Sequence, residues 1–281
     1  VSPELSVLSE DEHSYLLSSE IFFGQFMKLN NLSNDRTRDY IFKDTFKLYM
    51  YMNLNIVNVD NGIYKVTVIK GDEYIGPSIA SGQEWDRWMR RDVRLYHKPG
   101  THIIDIGANI GYNTLLFSDY GPVISFDPVY HKIIQLNVDA NTLRHNVKVV
   151  GCALSDVKDI RGIHVPSHGC QSNVHLNYGG TSFHHTDDWK GKGVNVNCER
   201  LDDIYTGVPS FVKIDVEGHE LQVLKGATET IKKHMPTILI EIHGFSEEHE
   251  IHKYLKELGY NDPIERPEVM FLYRANDTTS Q

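Results

Sequence analysis

A run of seven residues, Asp105-Ile-Gly-Ala-Asn-Ile-Gly111, has the spacing of a turn that cradles a nucleotide. Glycine permits a backbone with positive φ and lets a ligand approach closely, and a helix that follows offers unpaired N–H groups. The run is too short for a phosphate-binding loop, and Asn109 stands where the dinucleotide pattern has its middle glycine. The acidic Asp105 suits a ligand that carries an ammonium group better than one that carries a pyrophosphate.

Further polar side chains stand at the ends of apolar runs that predict buried strands. They are Asp127, Asp215, Glu241 and His243. Because ligands of open α/β sheets bind beyond the carboxyl ends of the strands, we expect these side chains to surround one site together with Asp105. Asp127 lies about 16 residues beyond Gly111, where a carboxylate accepts hydrogen bonds from ribose hydroxyls in dinucleotide sites.

The elements that must position these residues follow from the apolar periodicity. From residue 101 onward, short apolar runs alternate with amphipathic patterns, which predicts a mostly parallel, doubly wound α/β sheet. The predicted strands are 101–106, 123–126, 147–152, 194–198 (as an edge strand), 210–214, 237–242, 261–264 and 269–274, the last two as an antiparallel pair. The predicted helices are 84–96, 112–118, 130–143, 217–234 and one that runs from Ser246 to Gly259.

The first 70 residues predict two helices and a hairpin. Apolar residues recur at helical spacing in 13–29 and 37–52, as in a structural cap, a cleft wall or a homodimer interface. Alternating residues on both sides of Asn61-Gly62 predict a hairpin with a type I′ turn. We therefore expect residues 1–70 to form an N-terminal extension and residues 71–281 to form the main domain.

The segment 155–192 is predicted to be irregular, because it is rich in His, Gly, Ser and Asn. Loops of this length inside a domain are usually functional or mobile. Its histidines lack a compact pair of metal ligands, which favours a lid or substrate loop over a zinc site. These histidines are His164, His168, His175, His184 and His185.

The composition of the chain disfavours several classes of function. A net charge of -10 disfavours a nucleic-acid footprint and adhesion to anionic membranes. No apolar run approaches the roughly 20 residues of a membrane span. The three cysteines are an odd number without metal-type spacing, which favours a reducing compartment, and we expect a cytoplasmic protein. The chain begins with Val1 rather than Met, as a piece of a longer protein would.

Two motifs carry a resemblance to a known family. The run 105–111 resembles the first motif of S-adenosylmethionine-dependent methyltransferases. More narrowly, the chain resembles the FkbM family in its sequence FVKIDVEGHEL at 211–221, followed by VLKGA at 223–227. The segments 153–156, 201–203 and 240–242 fit the same family in the same order. The resemblance covers about residues 99–244 and leaves residues 1–70 unexplained.

The resemblance implies a Rossmann-like, seven-stranded methyltransferase sheet to which the N-terminal helices and hairpin are added. It implies S-adenosyl-L-methionine as the cofactor and O-methylation of a hydroxyl, most often in glycan modification or on a secondary metabolite. Relatives often have Glu in place of Asp127 and Asn in place of Cys152. The cofactor-binding residues implied are Asp105, Gly107, Asn109 and Gly111 around the methionine part, with Ala108 and Asn113 beside them, Asp127 at the ribose, and Cys152 and Ala153 at the adenine.

Methyl transfer to an aliphatic hydroxyl needs an aligned nucleophile and a general base. The candidate bases are Asp215, Glu217, His219, Glu241 and His243. Histidine, with an unperturbed pKa of about 6.5, suits the task. We prefer His243 because it closes a strand next to the one that bears Asp215, and His219 is second. Asp215 or Glu217 would orient the base or bind the hydroxyl.

Three alternatives remain open at this point. A divalent cation held by Asp215, Glu241 and His243 would lower the pKa of the hydroxyl, although the spacing does not require a metal. A nicotinamide-dependent oxidoreductase is disfavoured by Asn109 in the glycine turn. A catalytically silent binding module would keep the fold without the reaction. We expect an enzyme that acts on a small-molecule or glycan acceptor.

Overall fold

The computed structural model describes residues 56–166, 177–183 and 192–276, except for the side chains of residues 192 and 245–247. The predicted helices at 13–29 and 37–52 lie outside these ranges, as do most of the histidines of the segment 155–192. The cap or dimer interface expected of the N-terminal segment therefore stays a prediction. No helix within the described ranges has the length and apolar character needed to traverse a bilayer.

Strands and helices alternate along the described chain. The strands are β1 (Ile56–Asp60), β2 (Lys65–Ile69), β3 (His102–Ile106), β4 (Val123–Phe126), β5 (Val147–Val150), β6 (Ala153–Leu154), β7 (Asp159–Val165), β8 (Lys192–Glu199), β9 (Pro209–Ile214), β10 (Thr237–Glu241), β11 (Ile264–Glu265) and β12 (Met270–Tyr273). The helices are α1 (Ile75–Ala80), α2 (Met89–Tyr96), α3 (Tyr112–Phe117), α4 (His131–Asp139), α5 (Leu201–Ile204), α6 (Glu220–Gly226), α7 (Thr228–His234) and α8 (Phe245–Glu257), with a 3₁₀ turn at Tyr178–Gly180.

A seven-stranded sheet in the order β11-β12-β10-β9-β3-β4-β5 forms the centre of the domain. The strands from β10 to β5 are parallel, β12 is antiparallel to β10, and β11 is antiparallel to β12. The predicted Rossmann-like seven-stranded sheet and its final antiparallel pair are confirmed. The chain runs outward from β3 through β4 to β5 and, on the other side, from β9 to β10. The topological switch point therefore lies between β3 and β9.

Strand β3 is buried on both faces of this sheet. Ile103 and Ile104 have no exposed surface, and successive side chains of a strand point to opposite faces. Ile103 packs in one apolar cluster with Val93 and Leu116, whereas Ile104 packs in another with Leu224. Burial on both sides explains why the strand is apolar at consecutive positions instead of alternating.

The hairpin of β1 and β2 forms at Asn61-Gly62 as predicted, but its turn is not the two-residue type I′. Asp60 pairs with Lys65, so residues 61–64 form a four-residue loop. Gly62 has a φ of 83°, whereas Asn61 is not among the residues with positive φ. The Asn61 side chain instead closes the loop by accepting the N–H of residues 63 and 64.

The hairpin is hydrogen-bonded to the main sheet region through Asn137 of α4. The Asn137 amide accepts the N–H of Thr67 at 2.5 Å and donates to the Thr67 carbonyl at 3.2 Å. The same amide nitrogen donates to the carbonyl of Ile110 at 2.7 Å. One buried side chain thus joins the hairpin to the turn that follows β3, within the compact unit Met52–Gln281.

Strands β6, β8 and β7 form a second sheet in that order. The prediction of an edge strand at 194–198 is wrong, because β8 is the central strand and pairs on both sides. Strand β7 lies in the segment expected to be irregular. Its sequence Asp-Ile-Arg-Gly-Ile-His-Val buries only Ile163 and Val165, so its alternation is too weak to recognise from the sequence.

Two predicted helices start later than the periodicity suggests. Helix α2 begins at Met89 instead of residue 84, and α6 begins at Glu220 instead of residue 217. In both cases a non-glycine residue before the helix has left-handed backbone: φ is 51° at Asp86 and 56° at Glu217. The expected helix 217–234 is also divided at Ala227, whose φ of -113° leaves the helical range.

Candidate active site

A cavity of about 320 Å³ opens at the carboxyl edge of the seven-stranded sheet. Its walls come from the turn after β3 and from the ends of the neighbouring strands β4, β9 and β10, so it lies at the topological switch point. The side chains that bear on its chemistry are Asp86, Asn109, Asn113, Asp127, Cys152, Lys213, Asp215, Glu217, His219, Glu241, His243 and Glu268.

The glycine turn is packed too tightly for any other residue at its two ends. Gly107 has a φ of 73°, and a Cβ there would lie 1.7 Å from the carbonyl oxygen of Asp215. Gly111 has a φ of 85°, precedes the first residue of α3, and a Cβ there would lie 2.8 Å from Ile134. Gly107 lines the cavity, whereas Gly111 does not and packs against Ile134.

Asp127 holds the turn in place with both of its oxygens. Oδ2 accepts the N–H of Asn109 at 2.9 Å, and Oδ1 accepts the N–H of Val129 at 2.8 Å and of Tyr130 at 2.5 Å. Burial raises the pKa of Asp127 to about 6, against the lowering effect of these bonds. Asn109 adopts a φ of 52° to make this contact, so the residue that replaces the middle glycine still uses a glycine-like backbone.

A buried lysine fills the space beneath the turn. Lys213 Nζ donates to the Gly107 carbonyl at 3.0 Å and lies 3.0 Å from Asp215 Oδ2 and 3.7 Å from Asp105 Oδ1. The two carboxylates raise the pKa of Lys213 against the opposing effect of burial. Lys213 therefore stays charged and binds the ends of β3 and β9 together.

Asp105 lies below the cavity and is not among the residues that line it. It has no exposed surface, and its Oδ2 accepts the Thr114 hydroxyl at 2.6 Å. Burial raises the pKa of Asp105, and Lys213 opposes that effect. Asp105, expected at the methionine part of a cofactor, contacts Lys213 and Thr114 in this structure, and its role toward a cofactor stays a prediction.

A second group of titratable side chains stands at the ends of β9 and β10. His243 Nε2 lies 2.9 Å from Glu241 Oε2 and 3.8 Å from Glu217 Oε2. Burial, then the charge of Asp215, raises the pKa of Glu217 to about 7. The same two causes raise the pKa of Glu241. The structure thus brings together the predicted residues Asp215, Glu217, Glu241 and His243, with His243 half-exposed at the cavity.

His219 lines the same cavity in a different setting. It is 4% exposed, its Nε2 lies 3.0 Å from the Ser155 hydroxyl, and its ring centroid lies 4.7 Å from that of Phe183. The side chain is thus held by a hydroxyl and an aromatic ring, whereas His243 contacts carboxylates.

The remaining predicted cofactor residues line the cavity as well. Ala108 and Ala153 contribute small apolar surface, and Cys152 is buried, which raises the pKa of its thiol to about 11. Asn113 is 7% exposed and its Nδ2 donates to Asp86 at 2.8 Å. Cys152 therefore remains a neutral thiol at physiological pH.

Asp86 and Glu268 also line the cavity, and the sequence analysis missed both. They share an unusual feature with Asn109 and Glu217: all four are non-glycine residues with φ between 51° and 59°. Strained backbone of this kind concentrates at functional sites. The sequence carries no local signal for it, because Asp86 lies within an amphipathic pattern that reads as continuous helix.

The segment 177–183 covers part of the cavity. The Tyr178 carbonyl accepts a hydrogen bond from Asn109 Nδ2 at 3.4 Å, and the Thr181 hydroxyl lies 2.8 Å from the Tyr130 hydroxyl. Asn177, Gly179 and Thr181 contribute to the lining. A lid role for the segment 155–192 stays a prediction, with this described part of it in contact with the glycine turn.

Comparison with known proteins identifies the family. The family model described as the methyltransferase FkbM domain matches residues 105–261, more than half of the chain. The chain belongs to the FkbM methyltransferase family. The match begins at Asp105 of the glycine turn and includes the residues Asp127, Lys213, Asp215, Glu217, Glu241 and His243 described above.

Two relatives illustrate how far this FkbM chain resembles known proteins. It is 43% identical over 56 residues to the hexuronic acid methyltransferase AglP of Haloferax volcanii, which covers 20% of this chain and 23% of that protein. A crystal structure of methyltransferase FkbM from Methylobacillus flagellatus matches with 22% identity and a TM-score of 0.41, over 62% of this chain and 43% of that one. The chain thus spans about a quarter of the curated relative and less than half of the solved structure.

Among the described residues, three side chains at the ends of β9 and β10 could hold a divalent cation. Glu217, Glu241 and His243 each offer one ligand atom, and the three atoms lie within 4.8 Å of one another. The hydrogen bond between His243 and Glu241 accounts for this arrangement without an ion.

We expect Gly107→Ala to destabilise the protein by about 3 kcal/mol or more, because the methyl group adds a clash with the Asp215 carbonyl to the strain of left-handed backbone. Gly100→Ala is the matched control, since Gly100 has a φ of 80° and open space around its Cβ position. It should lose about 1–2 kcal/mol. Denaturant unfolding measures both, and equal losses would show that the Asp215 contact relaxes without cost.

We expect Glu217 to make stability fall with rising pH. Its pKa is raised from 4.5 to about 7 in the folded protein, so its stabilising contribution is complete below about 4.5 and is lost as pH rises to about 7. Gln resembles the protonated carboxyl, so the protein should become less stable relative to Glu217→Gln across this window, by at most about 1.4 kcal/mol per pH unit. Glu250→Gln, at an exposed position of α8, is the control. A difference that does not vary with pH would contradict this assignment.

Proposed function

We propose that this chain is an S-adenosylmethionine-dependent O-methyltransferase that acts on a hydroxyl of a sugar or glycan. The observation that carries the proposal is one cavity lined by both sets of residues that the reaction needs. The glycine turn, Asp127 and Cys152 lie along β3, β4 and β5, and Asp215, Glu217, Glu241 and His243 lie along β9 and β10.

The residues of the cavity fit this cofactor. The volume of about 320 Å³ falls in the usual range for small-molecule sites, about 300–1,000 Å³. Asp127 Oδ2 carries one described hydrogen bond and retains capacity for a ribose hydroxyl. Cys152 and Ala153 would offer an apolar surface to the adenine, and Ala108, Asn109 and the buried amide of Asn113, which line the same cavity, would face the methionine part.

When bound, the cofactor supplies a methyl group carried on a sulfonium, which leaves proton removal and alignment to the protein. His243 is the proposed base because it reaches the cavity while its Nε2 contacts Glu241. The Glu241 and Glu217 carboxyls would orient the imidazole and stabilise it once it accepts the proton of the hydroxyl. Lys213, fixed by Asp105 and Asp215, holds the backbone of the glycine turn against β9 through the Gly107 carbonyl.

A sugar acceptor is supported by the hexuronic acid methyltransferase to which 56 residues of this chain are similar. A hydroxyl of a secondary metabolite requires the same base and the same cofactor. Methyl transfer to either would exclude a silent binding module. A cytoplasmic location remains our proposal.

We expect Asp127→Ala to weaken binding of S-adenosylhomocysteine by about 1–3 kcal/mol, because charge-assisted hydrogen bonds to the ribose are lost and the Asn109 N–H is released. Isothermal titration of the purified chain measures the affinity, with and without Mg²⁺. Asp139→Ala, at an exposed position of α4, is the control and should keep the affinity.

No binding of S-adenosylhomocysteine by the unaltered chain in either condition would contradict the proposed function. Binding that requires Mg²⁺ would favour the divalent-cation alternative, with Glu217 in place of the expected Asp215 beside Glu241 and His243. An unchanged affinity in Asp127→Ala would remove Asp127 from the ribose site.

We expect His243→Ala to lose at least about 100-fold in turnover while its affinity for S-adenosylhomocysteine stays within about twofold, since a general base contributes about 10²–10⁴-fold. Release of S-adenosylhomocysteine, measured over a panel of sugars that includes hexuronic acids, reports turnover. His249→Ala, an exposed histidine of α8, is the control. Normal turnover in His243→Ala would transfer the role to His219 or to a carboxylate.

A further inference from the structure

Two carboxyl groups that no part of the proposed reaction uses meet at the cavity. Asp86 precedes α2 and Glu268 precedes β12, and both line the cavity. Burial, together with the neighbouring Glu268 carboxyl, raises the pKa of Asp86 to about 7. Two carboxylates this close cannot both be ionised without a proton or a cation between them.

A buried amide beside the pair lacks a donor. Asn113 is 7% exposed, and its Nδ2 donates to Asp86 Oδ2 at 2.8 Å. The other amide atom, Asn113 Oδ1, is buried without a hydrogen-bond partner among the described residues, and so is Asp86 Oδ1. A buried acceptor without a donor is unfavourable, and a ligand with several N–H donors would satisfy both atoms.

The nearby cations are already engaged elsewhere. Lys213 is held by Asp105, Asp215 and the Gly107 carbonyl. Arg266, two residues before Glu268, makes a double contact with Asp92. Among the ion pairs of the described residues, none includes Asp86 or Glu268. Lys213 acts on Asp86 only through its charge, and no cation within the described ranges is paired with Asp86 or Glu268, which leaves a place for a cationic ligand.

The position of the pair relates it to the reacting groups. Asn113 belongs to the first turn of α3, directly after the glycine turn. Glu268 lies two residues before Met270, which pairs with Glu241 across β10 and β12. The pair therefore lies between the turn that would hold the cofactor and the group that includes His243.

We propose that Asp86, Glu268 and Asn113 Oδ1 bind a primary ammonium group. Its three N–H donors match the three acceptors, and its charge replaces the proton that the two carboxyls must otherwise share. The exposed Glu268 would move aside to admit the group between the carboxyls. This inference rests on the proposed function, and the ammonium belongs either to the amino acid end of the cofactor or to an amino sugar acceptor.

Titration calorimetry of the full chain separates the two sources. S-adenosylhomocysteine carries the ammonium, whereas 5′-methylthioadenosine shares its adenosine and sulfur but has no amino acid group. If the ammonium is the cofactor's, Asp86→Asn and Glu268→Gln lose at least tenfold in affinity for S-adenosylhomocysteine and keep that for 5′-methylthioadenosine. Glu265→Gln, at an exposed carboxyl of β11, keeps both affinities.

If the ammonium is the acceptor's, both variants keep their affinity for S-adenosylhomocysteine. In the presence of saturating S-adenosylhomocysteine, the unaltered chain then prefers glucosamine to glucose, and the variants lose that preference at least tenfold. Glu268→Gln lies at an exposed position and Asp86→Asn retains an acceptor for Asn113, so both variants are expected to fold.

Three results would overturn the inference. Retained affinity for S-adenosylhomocysteine together with an unchanged preference between glucosamine and glucose would mean that the pair binds no ammonium. A gain in affinity for S-adenosylhomocysteine would mean that the pair faces the carboxylate of the amino acid group. If the unaltered chain binds neither adenosine compound, the proposed function and this inference are both refuted. If it binds 5′-methylthioadenosine and the variants show no effect, the inference alone fails and the adenosine site is retained.

Discussion

The charge of Lys213 is the interaction on which the site depends. A buried ammonium is tolerated only when its partners satisfy it, and removal of one partner leaves an uncompensated charge. Lys213 has three partners: Asp105 at the end of β3, the Gly107 carbonyl in the turn, and Asp215 after β9. These lie on both sides of the topological switch point, so one cation fixes the gap in which the cavity opens.

The cavity around this cation is rich in groups that hold protons. Asp127 and Glu217 have raised pKa values near 6 and 7, and burial and neighbouring carboxylates raise those of Glu241 and Asp86. Lys213 cannot neutralise them all, because its charge is shared by Asp105 and Asp215. An acidic, partly protonated cavity suits a cationic cofactor and a chemistry that removes one proton.

The sheet and the polar residues at its strand ends could be predicted from the sequence, because buried parallel strands are continuously apolar and their carboxyl ends lie at one edge. It could not show that the Asp105 side chain contacts Lys213 and does not line the cavity, because the apolar pattern of β3 is the same for either direction of that side chain. It also missed Asp86 and Glu268, whose left-handed backbone is imposed by tertiary contacts and not by residue type. The late starts of α2 and α6 have the same origin.

The ladder between β7 and β8 has a consequence for how the family can diversify. Val165 pairs with Lys192, so the chain that runs between them leaves and returns at neighbouring points of one sheet. When the two ends of a loop are fixed in this way, each doubling of its length adds only about 0.6 kcal/mol to the entropic cost of closing it. Residues 177–183 from this stretch border the cavity, whereas Lys213 and the glycine turn belong to the other sheet. Insertions in this stretch can therefore reshape the part of the cavity lined by residues 177–183 without displacing Lys213 and the glycine turn.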